Sequence, residues 1–97
     1  IESYEWAVAY KHNFYQAYNN LGIAQSENNM PEMAIISYQK AVEIDKNYID
    51  AHLNLGIVFN KSGNKKMAIN SFERVLKIDS KNADAKRHLK AINSLNS

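Results

Sequence analysis

Gly22 and Gly56 stand 34 residues apart, each inside the phrase Asn-Leu-Gly-Ile, and the same interval relates much of the remaining chain. Ala17 falls on Ala51, Asn20 on Asn54, Leu21 on Leu55, Met33 on Met67, Ala34 on Ala68, Ile44 on Ile78 and Asp45 on Asp79. A fixed period of this size marks an architecture built from repeated supersecondary units, none of which can bury its apolar face alone. Two whole units occupy 15–48 and 49–82, followed by a stretch over 83–97. The period also runs backwards, through Tyr4, Tyr38 and Phe72, through Ala7, Ala41 and Val75, and through Tyr10, Ile44 and Ile78. Residues 1–12 are therefore expected to form the second helix of a unit whose first half lies before them.

Apolar residues within a unit recur at helical rather than strand spacing, as in Leu21 and Ala24, then Ala34, Ile35, Tyr38, Ala41 and Val42. Each unit reads as two helices, and the chain as all-α. Asn28-Asn29 followed by Pro31 breaks the first unit in the middle, and Ser62-Gly63-Asn64 breaks the second. Asn64 suits an N-cap, because its side-chain oxygen can accept from an orphaned backbone N–H. Asp45-Lys46-Asn47 and Asp79-Ser80-Lys81-Asn82 supply the turns between units. Helices this short, joined by such turns, form antiparallel hairpins.

Gly22 and Gly56 fall in mid-helix, where glycine is about 1 kcal/mol worse than alanine. Close approach between the two helices of a hairpin offsets that loss, with Ala34 and Ala68 as small facing partners and Tyr38 and Phe72 filling the adjoining space. In 83–97 the pattern changes: Lys90 takes the place of the glycines and Lys86 that of Tyr18 and His52. An amphipathic helix with Ala85, Leu89 and Ile92 inward and Lys86, Arg87 and Lys90 outward is what the end of a stack requires.

Charge divides unevenly, since residues 1–48 hold six acidic and three basic side chains and residues 49–97 four acidic and nine basic. Solvated helix faces often carry such imbalances, although they also steer partners. The sequence has no cysteine, no long apolar run and no secretory signal pattern, so an intracellular location, cytoplasmic or nuclear, is expected and a membrane partner is not. His12, His52 and His88 lack metal-ligand spacing, and neither a phosphate-cradling loop nor a nucleophile motif occurs. No metal, cofactor or catalytic residue is expected. Lys86, Arg87 and Lys90 are the cluster that would favour nucleic acid, and they do not suffice for it.

The pattern aromatic-x-x-Leu-Gly followed by Ala-x-x-x-aromatic-x-x-Ala resembles the tetratricopeptide repeat. Tyr18, Leu21, Gly22, Ala34, Tyr38 and Ala41 match in the first whole unit, and Leu55, Gly56, Ala68 and Phe72 in the second. His52 replaces an aromatic residue, Val75 an alanine, and Lys46 and Ser80 stand where the family usually has proline. The resemblance implies a right-handed superhelical solenoid of hairpins whose concave groove binds a peptide or partner protein, without catalysis. It places Gln16, Asn19, Asn20, Ile23 and Glu27 on the groove wall, then Asp50, Leu53, Asn54, Ile57 and Lys61, with Asp84, Arg87 and His88 from the last helix.

Asn20 and Asn54 would stack one unit apart, as in the asparagine ladders of some long members of the family, and offer donor and acceptor to a peptide backbone. The alternative is that these amides satisfy neighbouring protein groups. Ile23, Leu53 and Ile57 would either receive an apolar anchor or complete the packing between first helices. Chaperone-binding members clamp an acidic C-terminus with Lys and Arg. Here Asn19, Ile23, Asp50 and Asp84 take those places, and Lys86 and Arg87 lie one or two residues away, each turning about 100° around the helix. A carboxylate clamp is therefore not expected. The leading expectation is a protein-interaction scaffold, and the alternative is a substrate-recognition segment of a larger enzyme. Tyr4, Ala7 and Tyr10 would present an apolar face, and with the charge imbalance they predict head-to-tail self-association, which light scattering would detect. Trp6 falls at an outward place in the series of Lys40 and Arg74, where it would cover surface or touch a partner.

Overall fold

Turn chemistry and helical periodicity divide the described residues into five helices, α1 (Lys11–Glu27), α2 (Pro31–Ile44), α3 (Ile49–Lys61), α4 (Lys65–Ile78) and α5 (Ala83–Asn96). A computed structural model describes residues 11–96, with side chains from 14 to 94. Tyr4, Trp6, Ala7 and Tyr10, and the readings that rest on them, lie outside the described residues. The described chain is all-α. Helices α1 and α2 form one hairpin and α3 and α4 a second, α2 packs on α3, and α5 closes against α4. The stack is elongated, 54 × 29 × 16 Å, with a radius of gyration of 14.4 Å. A compact domain of this length would have about 12.5 Å.

The two loops inside the hairpins are copies of one another. Asn29 (φ 65°) and Gly63 (φ 88°) both adopt left-handed backbone. The next residue then reaches back five positions, Met30 N–H to Gln25 C=O at 2.8 Å and Asn64 N–H to Phe59 C=O at 2.8 Å. This is the Schellman closure of a helix. Asn64 Oδ1 accepts from Met67 N–H at 3.3 Å as an N-cap, and Asn82 Oδ1 accepts from Ala85 N–H at 2.9 Å to start α5. Between units Asp45 Oδ1 accepts from Asn47 N–H and Asp79 Oδ1 from Lys81 N–H, at 3.1 and 3.2 Å. Lys11 holds the corresponding place one period earlier and has no such acceptor. Helix α1 accordingly runs unbroken through residues 11–14, where a unit boundary at 12–15 was expected.

Packing inside the hairpins centres on the glycines, and what presses on them is an aromatic ring. A Cβ built on Gly22 would lie 2.5 Å from Tyr38 Cε1, and one on Gly56 would lie 2.6 Å from Phe72 Cε1. The ring therefore lies directly on the glycine, where the sequence reading put it in the space alongside. Ala34, Ala68, Phe72, Val75 and Ala85 are wholly buried, and Tyr38, Leu55, Val58 and Ile92 nearly so. Lys86, Arg87 and Lys90 point outward from α5. Leu21, by contrast, is 47% exposed although its counterpart Leu55 is buried against the stack. Leu55 has α2 to pack against, whereas Leu21 shares with Phe14, Ala17 and Tyr18 an open apolar hollow on α1.

Candidate functional site

First helices α1, α3 and α5 lie side by side, because each hairpin puts its second helix on the opposite layer. They enclose an open cleft of about 310 Å³, lined by Asn19, Ile23, Asp50, Leu53, Asn54, Ile57, Asp84, Arg87 and His88. Helical phase explains the set. Asn19 and Ile23 sit on the flank of α1 that faces α3, and one period later Leu53 and Ile57 sit on the flank of α3 that faces α5. Asp50 and Asn54 occupy the other flank of α3, and Asp84 and His88 the matching places on α5. Gln16 and Asn20, which correspond to Asp50 and Asn54, consequently turn away from α3 and stay outside the cleft.

The wall residues named from the sequence are therefore divided. Asn19, Ile23, Asp50, Leu53, Asn54, Ile57, Arg87 and His88 are brought together, with Asp84. Asn20 and Glu27 are exposed and outside the cleft, and Lys61 borders a separate hollow with Ser26, Asn29, Pro31, Val58 and Ser62. Arg87 reaches the cleft although its place is offset from the usual clamp position, whereas Lys86 stays outside it.

Polar side chains in the cleft are held by one another. Asn54 Nδ2 donates to Asn19 Oδ1 at 2.9 Å, and Asn19 Nδ2 donates to the Tyr48 hydroxyl at 3.4 Å. Asn19 is only 5% exposed, so this pairing satisfies an amide that burial would otherwise leave costly. Asn20 takes no part. The expected ladder of Asn20 and Asn54 is replaced by a bridge from Asn19 to Asn54 between neighbouring hairpins, because Asn19 and not Asn20 faces α3. Burial pushes the Tyr48 hydroxyl pKa up, with the Asp50 carboxylate adding to it. The same tyrosine meets Tyr15 edge to face, centroids 4.8 Å apart.

At the other end, Arg87 Nη2 donates to Asp84 Oδ1 at 2.7 Å. The His88 ring stacks on Phe72, centroids 4.8 Å apart and planes 8° apart, so Phe72 is fixed between Gly56 and a cleft residue. Between these ends lie the apolar side chains Ile23, Leu53 and Ile57. Ile23 is 37% exposed, and the other two are half-buried. They contribute to packing between first helices and still leave aliphatic surface in the cleft.

Among the described residues no group of three or more His, Cys, Asp or Glu is placed to hold a metal ion, and no helix is long and apolar enough to cross a membrane. Sequence reasoning missed the Asn19–Asn54 bridge and the stacking of His88 on Phe72. A signal for the first was present, since Asn19 and Asn54 are 35 residues apart, one more than the period, as adjacent flanks require.

Comparisons with known proteins agree with this architecture. Residues 32–63 match a family model described as TPR repeat, and residues 49–82 one described as tetratricopeptide repeat. Among solved structures, the crystal structure of MamA matches with a TM-score of 0.82 and 26% sequence identity, over 84% of this chain and 48% of that one. The chain thus spans about half the length of that relative. No curated protein sequence matches it. With repeating hairpins, glycines seated under aromatic rings and two family matches that together cover α2 to α4, the chain belongs to the tetratricopeptide repeat family.

Proposed function

We propose that this chain is a protein-interaction scaffold that holds an extended peptide, or a helix of a partner, in the cleft between α1, α3 and α5. The observation that carries the reading is aliphatic surface at Ile23, Leu53 and Ile57 left open in a concavity whose polar rim is prearranged. Apolar side chains held open between polar neighbours are what an anchor residue of a partner covers. Prearrangement matters because ordering a loose rim on binding would subtract from affinity. The cleft residues are Asn19, Ile23, Asp50, Leu53, Asn54, Ile57, Arg87 and His88, with Asp84. In a longer protein the same cleft would serve equally as the substrate-recognition segment of an enzyme.

A photo-crosslinking amino acid at position 57 tests the reading against the same probe at position 36, where Ile36 is 53% exposed on α2. Crosslinks to protein from position 57 and not from 36 are expected in cell extract. Equal yields from both positions would mean that the concave face is not the binding surface.

A further inference from the structure

Hydrogen-bonding capacity in the cleft is unbalanced, and the imbalance bears on what the scaffold would hold. Three donor groups that line it are already turned onto neighbouring side chains: Asn54 Nδ2 on Asn19, Asn19 Nδ2 on Tyr48, and Arg87 Nη2 on Asp84. Acceptors are left over. Asp50 is exposed, and its carboxylate enters no hydrogen bond or ion pair among the described residues. Among the described residues Asn54 Oδ1 receives no donor either, its amide being oriented toward Asn19. A ligand that brings only acceptors would leave this surface unmatched, and one ending in a carboxylate would meet Asp50 with like charge.

Resting on the function proposed above, we infer that the ligand is an extended peptide that pairs a Lys or Arg with an aliphatic or aromatic residue. The cationic head lies against Asp50 and Asn54 Oδ1, and the apolar residue covers Ile23 and Ile57. Asp50 and Ile57 are seven residues apart on α3, about 10 Å of helix rise. An extended chain covers that distance in about three residues, so the two side chains should stand two to four positions apart. The chain's positive net charge of +2 does not oppose a cation here. Lys65, Lys66, Lys77, Lys86 and Lys90 lie away from the cleft, whose formal charges are Asp50, Asp84 and Arg87. Asp50 also falls in the first turn of α3, where any carboxylate interacts favourably with the helix N-terminus. That role would be served without a ligand, so the test must separate the two.

A phage-displayed library of random nonapeptides is panned against the 97-residue chain, and winning peptides are synthesised for fluorescence anisotropy with wild type, Asp50→Asn and Leu53→Arg. Peptides bearing Lys or Arg two to four positions from an apolar residue are expected. Asp50→Asn should weaken them about tenfold, the scale of a hydrogen bond to a charged group, and high salt should weaken them too. The thermal unfolding midpoint of Asp50→Asn should barely move. Winners without a basic residue, or affinity indifferent to Asp50→Asn, would overturn the inference while leaving the scaffold reading intact, provided Leu53→Arg abolishes binding. Winners that also ignore Leu53→Arg, or no winners at all, would overturn the scaffold reading itself.

Discussion

Phe72 has no room to retreat, because Gly56 lies on one side of its ring and His88 is stacked on it. A methyl group at position 56 would come within 2.6 Å of that ring. Gly56→Ala should therefore destabilise the chain by about 1–3 kcal/mol through overpacking, even though alanine favours the helix. Adding Phe72→Leu should make the penalty of Gly56→Ala smaller, which denaturant unfolding of the double-mutant cycle would measure. An unchanged penalty would mean that the ring is not what excludes the methyl. The left-handed positions give the opposite pair of effects. Asn29→Gly should stabilise by up to about 1 kcal/mol, and Gly63→Ala should destabilise by about 1–2 kcal/mol, since a Cβ is disfavoured there although the space around it is open. The 34-residue interval between the glycines was plain in the sequence, but the object pressed on them was not. Small facing residues and a large ring are equally compatible with a mid-helix glycine, and only the hairpin's crossing decides between them.

At the level of elements, α2 and α3 meet at His52, which is 8% exposed and has Nε2 2.9 Å from the Lys46 carbonyl. Desolvation by burial pushes its pKa below the ordinary histidine value, assisted by Arg74, while the Lys46 carbonyl and Asp45 act the other way. Val42, Glu43, Lys46 and Arg74 share the hollow beside it. The folded chain thus binds this proton less readily than the unfolded chain does. Its contribution to stability is complete above the unfolded histidine pKa of about 6.5 and is lost as pH falls through the lower folded value. Unfolding midpoints should drop between about pH 7.5 and pH 5.5, and His52→Gln should flatten that dependence; an equal slope in the variant would assign the drop to other groups. The Asp84–Arg87 pair is of a different kind, with side chains 55% and 69% exposed. Arg87→Ala should change stability by no more than about 1 kcal/mol, as calorimetry would record. Helix order and the inner turns were legible because Asn28-Asn29, Pro31 and Ser62-Gly63-Asn64 carry strong local signals. The continuity of α1 through residues 11–14 was not, because the absence of an acceptor at Lys11 is a weaker sign than the presence of one at Asp45 and Asp79.

At the scale of the molecule, each described hairpin packs on the element beside it in the stack, so protection should decline from the middle of the described stack toward its ends. Native-state hydrogen exchange is expected to be slowest in α3 and α4, where Leu55, Val58, Phe59, Ala68, Phe72 and Val75 are buried, and faster in α1 and the end of α5. Uniform protection throughout would mean that the stack opens as one unit. Part of the cleft was expected in advance, since the family resemblance puts Ile23, Asp50, Leu53 and Ile57 on one concave wall. What escaped was the difference between the flanks of α1 and those of α3, which depends on which helix stands beside each and not on the residues themselves. That difference gives the Asn19–Asn54 bridge a mechanical part: it is a polar strut fixing the spacing of two successive hairpins across the trough. Any bound group that drew the Asn54 amide away would release the strut, and the superhelix would then bend or straighten according to what it carries.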